Sequence, residues 1–122
     1  MKPIISVIII NFNGLGYLKR TLPSVLNLKY PDYEIIVVDN GSQDGSVEYL
    51  RRQNRVHLIQ SPVYASKNYA VNYAAKWASG EYILFLDNDV ILTCSNLLQE
   101  LLSIWQGQEK IGLISLCLKN EK

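Results

Sequence analysis

The sequence predicts a three-layer α/β/α fold with a mostly parallel sheet. Apolar runs of strand length alternate with segments whose apolar residues recur at helical spacing, in the order β-α-β-α-β-α-β-α-β. The runs 4–10 and 82–86 are apolar almost without alternation, which is typical of strands buried on both faces of a parallel sheet. The 122 residues are enough for one core, so we interpret 1–122 as a single domain.

Turn, cap and breaker residues separate the predicted elements. Asn11 begins the turn after the first strand, and Asp44 is the predicted cap of the second helix. Pro23 lacks a backbone donor, so we expect a kink or break in the first helix near Leu22. Gly80 is the predicted end of the third helix. The predicted strands are 4–10, 34–38, 56–59, 82–86 and 111–118, and the predicted helices are 15–26, a segment beginning at 44–46, 66–79 and 95–106.

Charge and cysteine content exclude some classes of partner. The net charge of +1, without a basic stripe, argues against a nucleic-acid-binding protein. Cys94 and Cys117 have no metal-ligand spacing and are predicted to be reduced thiols of a cytoplasmic protein. The apolar run 4–10 is too short to span a membrane. We therefore expect a cytoplasmic domain, and a longer protein could still lie at the inner face of the membrane.

Polar clusters follow three of the predicted strands, at 11–13, 39–41 and 87–89. Because the carboxyl ends of parallel strands share one edge of a sheet, where ligands bind, the clusters together predict a site. Asp87 and Asp89 are two residues apart, which on a strand points both side chains to the same side. Two such carboxylates suit Mg²⁺ or Mn²⁺ with phosphate as a co-ligand. The alternative is that both residues only form a turn and a helix cap.

A dinucleotide-binding fold is a rival interpretation of the same edge. Gly14 and Gly16 open the first helix, and Asp39 follows Gly16 by 23 residues, near the expected position of a ribose-binding acid. The third glycine of that fingerprint would fall at position 19, which is Lys19. An NAD-type domain therefore stays an alternative, as does a non-catalytic interaction module of the same fold.

Four stretches of the sequence carry a resemblance to a known family. They are the opening strand Ser6-Val7-Ile8-Ile9-Ile10-Asn11-Phe12-Asn13, the segment 30–46, Asn72 ahead of Gly80-Glu81-Tyr82, and Asp87-Asn88-Asp89. Together they resemble the family 2 glycosyltransferases of the GT-A fold, whose sheet is Rossmann-like. Asp87-Asn88-Asp89 lies where that family has its Asp-x-Asp metal motif.

The resemblance implies a domain that binds a nucleotide-diphospho-sugar with Mn²⁺ or Mg²⁺. It implies transfer of the sugar, with inversion, to a saccharide, lipid-linked or protein acceptor. Phe12 would lie against the base, Asp39 would accept a hydrogen bond from the base or ribose, and Asp89 would ligate the metal. The implied nucleotide-binding residues are Ile10, Asn11, Phe12, Asp39, Lys67, Asn72, Asp87 and Asn88, and the implied metal ligands are Asp89 and Asp87.

Two departures from the family pattern modify this expectation. Val71 stands where members often have Arg, and Lys67 could supply the missing cation. The resemblance also implies an acceptor half with the catalytic carboxylate base beyond Lys122, so we expect a truncated fold with no catalytic residue in this chain. We further expect self-association through the C-terminal third, near Trp105 and 111–118, where apolar surface would be uncovered.

Overall fold

The computed structural model of the chain describes residues 5–61, 66–107 and 112–116. Strands and helices alternate through these ranges, which confirms the predicted α/β fold class. The elements are β1 (Ile5–Asn11), α1 (Leu15–Leu26), β2 (Tyr33–Asp39), α2 (Ser46–Arg51), β3 (Val56–Gln60), α3 (Lys67–Ala75), β4 (Tyr82–Asp87) and α4 (Leu97–Gln106).

The strands form a parallel sheet in the order β3-β2-β1-β4. β1 lies inside the sheet, as its β-branched sequence predicts. Its last residue, Asn11, pairs with Asp39 of β2, and Ile10 pairs with Asp87 of β4. The register therefore brings the carboxyl ends of β2, β1 and β4 together at one edge.

Two apolar cores lie on the two faces of the sheet. Side chains of α1, α2 and α4 pack with one another and with one face, represented by Val7 and Val37. Ala70 and Ala74 of α3 pack on the opposite face against Ile8. The fold thus has three layers, with three helices on one face and α3 on the other.

The prediction that β4 is buried on both faces is wrong. Ile83 and Phe85 are 40% and 47% exposed, whereas Leu86, on the opposite face, is buried. β4 is the outer strand of the described sheet, and α3 packs mainly on β1 and β2. The burial of β4 consequently alternates along the strand, although its sequence does not.

Three other predicted boundaries also differ. α1 continues through Pro23, which is exposed, so the break predicted near Leu22 is wrong. α3 ends at Ala75 rather than at 79. Residues 112–116 are irregular rather than a strand, and the rest of the predicted strand 111–118 lies outside the described residues. No described helix is long and apolar enough to cross a membrane.

Gly80 allows a close approach between chain segments instead of ending α3. A Cβ on Gly80 would lie 2.6 Å from the Ser6 backbone nitrogen. The Gly80 N–H donates to Ser6 Oγ at 2.9 Å, and Ser6 Oγ donates to Glu34 Oε1 at 2.6 Å. The Ser79 N–H also donates to Glu34 Oε1, at 2.7 Å. Burial acts to raise the pKa of Glu34, but the hydrogen bonds from Ser6 and Ser79 outweigh it, so the pKa is lower than usual.

Candidate functional site

Asn11 joins the ends of three strands at the carboxyl edge of the sheet. Its Nδ2 donates to Asp39 Oδ1 at 3.0 Å and to Ser42 Oγ at 3.2 Å. Its Oδ1 accepts from Asn88 Nδ2 at 2.9 Å. Asn11 is fully buried, and its position on β1 places it on the face of the sheet that α1 covers. We call Asn11, Asp39, Ser42 and Asn88 the amide cluster.

Asp39 is the buried carboxylate of the amide cluster, with 1% of its surface exposed. Oδ1 accepts from Asn11 and from Ser42 Oγ, the latter at 2.6 Å, and Oδ2 accepts from the Ser42 N–H at 2.9 Å. These contacts are those of an aspartate that stabilises the turn after its strand. Its contact with a nucleotide stays a prediction.

Ser42 and Asn13 are organising residues that the sequence reasoning missed. Ser42 Oγ accepts from the Asn13 N–H at 2.8 Å, and Asn13 Oδ1 accepts from the Gln43 N–H at 2.8 Å. Asn13 adopts a positive φ of 47°, which Asn tolerates better than most residues. The signal was present, since a serine three residues after an aspartate at a strand end is typical of a side-chain-bonded turn.

Asp44 binds the N-termini of two helices. Its Oδ2 accepts from the Leu15 N–H of α1 at 2.9 Å, and its Oδ1 accepts from the Ser46 N–H of α2 at 3.0 Å. Burial acts to raise the pKa of Asp44, but the hydrogen bonds from Ser46 and Leu15 outweigh it and lower the pKa. The N-cap of α2 is Gly45 rather than the predicted Asp44, which bonds the first residue of the helix from one position further out. A carboxylate already occupies part of the α1 N-terminus, where a dinucleotide fold would place its pyrophosphate.

Gly14 makes room for a side chain of the amide cluster. A Cβ on Gly14 would lie 2.0 Å from Asn88 Nδ2 and 2.7 Å from Asn11 Oδ1. Asn88 is held from the other side as well, because Thr21 Oγ1 donates to its carbonyl at 2.6 Å. Glycine is therefore needed at position 14 so that the Asn88 side chain can approach the backbone. This requirement explains the glycine without a phosphate-binding role.

Asp87 and Lys67 form an ion pair on the other face of the sheet. Asp87 is the last residue of β4 and follows Ile83 and Phe85, which lie opposite the core that contains Leu86. Lys67, the first residue of α3, contacts Asp87 Oδ1 through its ammonium group. The two side chains are 63% and 54% exposed. The structure thus separates Asp87 from the amide cluster.

Strand alternation does not orient Asp89, because β4 ends at Asp87 and residues 88–89 form a turn. The Val90 N–H donates to the Asp87 carbonyl at 3.3 Å across that turn. Asp89, two residues after Asp87, is exposed. Both carboxylates are thus open to solvent at this edge, but Asp89 lies beyond the strand, so the predicted alternation does not apply to it.

The remaining predicted residues lie around the edge in different environments. Ile10 is half-buried beside Asp87, and Phe12 follows the end of β1 with 43% of its surface exposed. Asn72 is exposed on α3. It follows Lys67 by five residues, which places the two side chains about 140° apart around the helix axis. Ile10, Phe12 and Lys67 thus lie at the edge, and Asn72 lies on a different side of α3 from Lys67.

The donor set suits a metal that arrives with other ligands. Among the described residues, no group of three or more His, Cys, Asp or Glu side chains could hold an ion. Asp87 and Asp89 can offer two oxygen ligands, which leaves the other positions to phosphate and water. Mg²⁺ in phosphate sites is commonly bound in this way. The residues present therefore fit a divalent metal bound together with a diphosphate.

Comparison with known proteins identifies the family. Residues 6–119 match the model of the glycosyl transferase family 2. The chain belongs to glycosyl transferase family 2. The resemblance carried by the four stretches is thereby confirmed, and the NAD-type alternative is not favoured.

Similar proteins agree in fold and family. The chain is 34% identical over 91 residues to the poly-beta-1,6-N-acetyl-D-glucosamine synthase of Staphylococcus epidermidis, covering 72% of this chain and 22% of that protein. The structure is similar to S. aureus TarS in complex with UDP-GlcNAc, with a TM-score of 0.72, 28% identity, and coverage of 88% of this chain and 32% of that one.

A third similarity concerns the fold alone. Mannosyltransferase PcManGT from Pyrobaculum calidifontis, in complex with GDP-Man and Mn²⁺, superposes with a TM-score of 0.82 at 24% identity, covering 92% of this chain and 34% of that one. These neighbours confirm the predicted GT-A fold. The chain spans less than half the length of the curated relatives it matches, 36% and 22% in two cases.

Proposed function

We propose that this domain binds the nucleotide-diphospho-sugar donor of a glycosyltransferase. The observation that supports this most is the junction of β2, β1 and β4 at one edge, where Asn11 ties the strand ends together. Two exposed carboxylates lie at the same edge, Asp87 as the last residue of β4 and Asp89 in the turn that follows. Open parallel sheets bind ligands there.

In this proposal Asp89 and Asp87 hold Mn²⁺ or Mg²⁺ together with the donor diphosphate. A bound divalent metal would neutralise the phosphates and stabilise the leaving nucleoside diphosphate. Asp87 has a second possible role at this edge, holding the ribose or a metal-bound water. Exposure of both carboxylates leaves room for the phosphate and water ligands that two protein oxygens require.

Phe12 and Asp39 are the proposed contacts for the nucleoside. The exposed Phe12 ring can stack on the base, an interaction of about 1–3 kcal/mol per base, beside the backbone of Ile10 and Asn11. Asp39 can accept a hydrogen bond from the base or ribose. Its Oδ1 already accepts two bonds and its Oδ2 one, so Oδ2 keeps a further acceptor position.

The proposed reaction is direct displacement of the nucleoside diphosphate by an acceptor hydroxyl, with inversion at the sugar carbon. Its support is family membership, together with a sugar-polymer synthase and a UDP-GlcNAc-bound structure among the similar proteins. The donor class is therefore a nucleoside diphosphate linked to a sugar. The acceptor, whether saccharide, lipid-linked or protein, is not assigned.

Calorimetry with UDP, GDP and dTDP, each with and without Mn²⁺, tests the proposal. We expect nucleotide binding that requires the metal. Asp89→Ala should abolish the metal dependence by removing a ligand, and Asp39→Ala should weaken nucleotide binding while the metal dependence remains. Glu81→Ala is the matched control, because it removes an exposed carboxylate just before β4, at the opposite end of the strand from the site.

The possible outcomes separate the alternatives. If Asp89→Ala binds Mn²⁺ and nucleotide as the parent does, Asp89 is only a turn residue. Binding of NAD without metal would favour the dinucleotide fold. An absence of nucleotide binding under every metal condition would favour an interaction module.

A further inference from the structure

Lys67 occupies an electrostatically unfavourable position on its helix. It is the first residue of α3, and Ser66 caps the helix by accepting from the Tyr69 N–H at 3.3 Å. A cation at a helix N-terminus opposes the helix dipole, which favours negative charge there. The ammonium group reaches β4 and pairs with Asp87, 20 residues further along the chain, while most of the lysine side chain stays exposed. The pairing, rather than helix formation, accounts for a lysine at this position.

The ion pair uses an oxygen that the proposed function assigns to a metal. Lys67 contacts Oδ1 of Asp87, and a divalent cation ligated by the same carboxylate would repel the ammonium group. Both side chains are more than half exposed. Exposed ion pairs are weak, so a divalent cation with a diphosphate can displace the lysine.

We propose that Lys67 is an exchanging counter-ion, paired with Asp87 in the empty site and with a donor phosphate in the loaded site. The inference rests on the proposed function. The long, flexible lysine side chain can move between partners without movement of α3, and its point charge suits phosphate. Charge balance is kept in both states, because the metal replaces the ammonium group on Asp87 while the diphosphate brings its own negative charge.

The exchange makes two opposite predictions for one substitution. Without nucleotide, Lys67 competes with the metal for Asp87, so Lys67→Ala should bind Mn²⁺ alone more tightly, by about two- to fivefold. With Mn²⁺ present, the same variant lacks a charge-assisted contact to phosphate, so UDP should bind about tenfold more weakly or worse. A merely structural lysine would weaken both, and a solvated one would change neither.

Manganese titration followed by paramagnetic resonance of the free ion measures the first affinity, and calorimetry with UDP at fixed Mn²⁺ measures the second. Lys76→Ala is the matched control, because it removes one exposed lysine at the opposite end of α3. Lys67→Arg keeps a cation at this position. Compared with Lys67→Ala, it should regain UDP binding in the presence of Mn²⁺, and it should bind Mn²⁺ alone no more tightly than the parent does.

The inference is overturned if Lys67→Ala changes both affinities in the same direction, changes neither, or matches Lys76→Ala. In those cases a parent chain that still binds UDP with Mn²⁺ leaves the proposed function standing. A parent chain that binds no nucleotide with Mn²⁺ refutes the proposed function and the exchange together.

Discussion

Gly14→Ala should destabilise the fold by inserting a methyl group between the strand ends. The new Cβ would lie 2.0 Å from Asn88 Nδ2 and 2.7 Å from Asn11 Oδ1, both within overlap distance. Asn11 is fully buried and held by Asp39 and Ser42, so Asn88 has to move. Its movement breaks the 2.9 Å hydrogen bond between the two amides.

The expected cost has two parts. Loss of the Asn88–Asn11 hydrogen bond costs about 1 kcal/mol, and overpacking typically costs about 1–3 kcal/mol. We therefore expect Gly14→Ala to lower the free energy of unfolding by about 2–4 kcal/mol. Asn88 follows β4 directly, so the same change should loosen the end of β4 where the proposed metal ligands lie.

Urea denaturation monitored by circular dichroism provides the measurement, with an unchanged m-value as the check that only stability has changed. Gly16→Ala is the matched control, because a Cβ there meets nothing within 4 Å and the residue lies inside α1. It should stabilise the chain by up to about 0.5–1 kcal/mol, since alanine is the better helix former. A double mutant with Asn88→Ala should recover part of the Gly14→Ala loss. The reasoning fails if Gly14→Ala stays within about 0.5 kcal/mol of the parent or is additive with Asn88→Ala.

Two further predictions concern stability. Val37 is fully buried, whereas Leu84 is only partly buried. Val37→Ala should therefore lower the free energy of unfolding by about 2–3 kcal/mol and Leu84→Ala by about 1–2 kcal/mol, despite the larger side chain of leucine. Denaturant melts with the opposite order would contradict the edge position of β4. Since the pKa values of Glu34 and Asp44 are lower in the folded chain than in the unfolded one, the stability they contribute is present above the ordinary carboxyl pKa of about 4 and lost as the pH falls through the lower folded values. Urea melts between pH 7 and pH 3 should show this loss, and Ser6→Ala, which removes a donor to Glu34, should make it smaller.

The sequence predicts the order of elements because each apolar run or stripe is a local signal. It does not predict the burial of β4, because a five-residue apolar run looks the same in a central and in an outer strand. Ile83 and Phe85 are exposed because no described element covers their side of the sheet beside α3, and that depends on tertiary arrangement. The break predicted at Pro23 is also wrong, because α1 runs unbroken from Leu15 to Leu26. Pro23 is exposed, and α1 continues through it without the one helical hydrogen bond that proline cannot donate.

The candidate site was predictable as a set of positions but not as a set of contacts. Parallel strands bring 11–13, 39–41 and 87–89 to one edge whatever their side chains do. Which carboxylate is buried depends on the donors that a neighbouring strand and the following turn bring to it. Asp39 accepts hydrogen bonds from Asn11 and Ser42, whereas Asp87 pairs with an exposed lysine.

The buried amide cluster and the exposed Asp87–Lys67 pair are suited to different functions in the proposed site. Each bond within the amide cluster is buried or partly buried, so breaking one would leave a desolvated donor or acceptor at a cost of about 1–3 kcal/mol. That side of the sheet is therefore suited to fixing the positions of the strand ends. On the other side, the contact between Asp87 and Lys67 is open to water, and either group can exchange its partner for an ion or solvent at little cost. Binding of a metal and a diphosphate requires such exchange, so the exposed carboxylates, rather than the buried Asp39, are the groups that the fold leaves able to accept a metal.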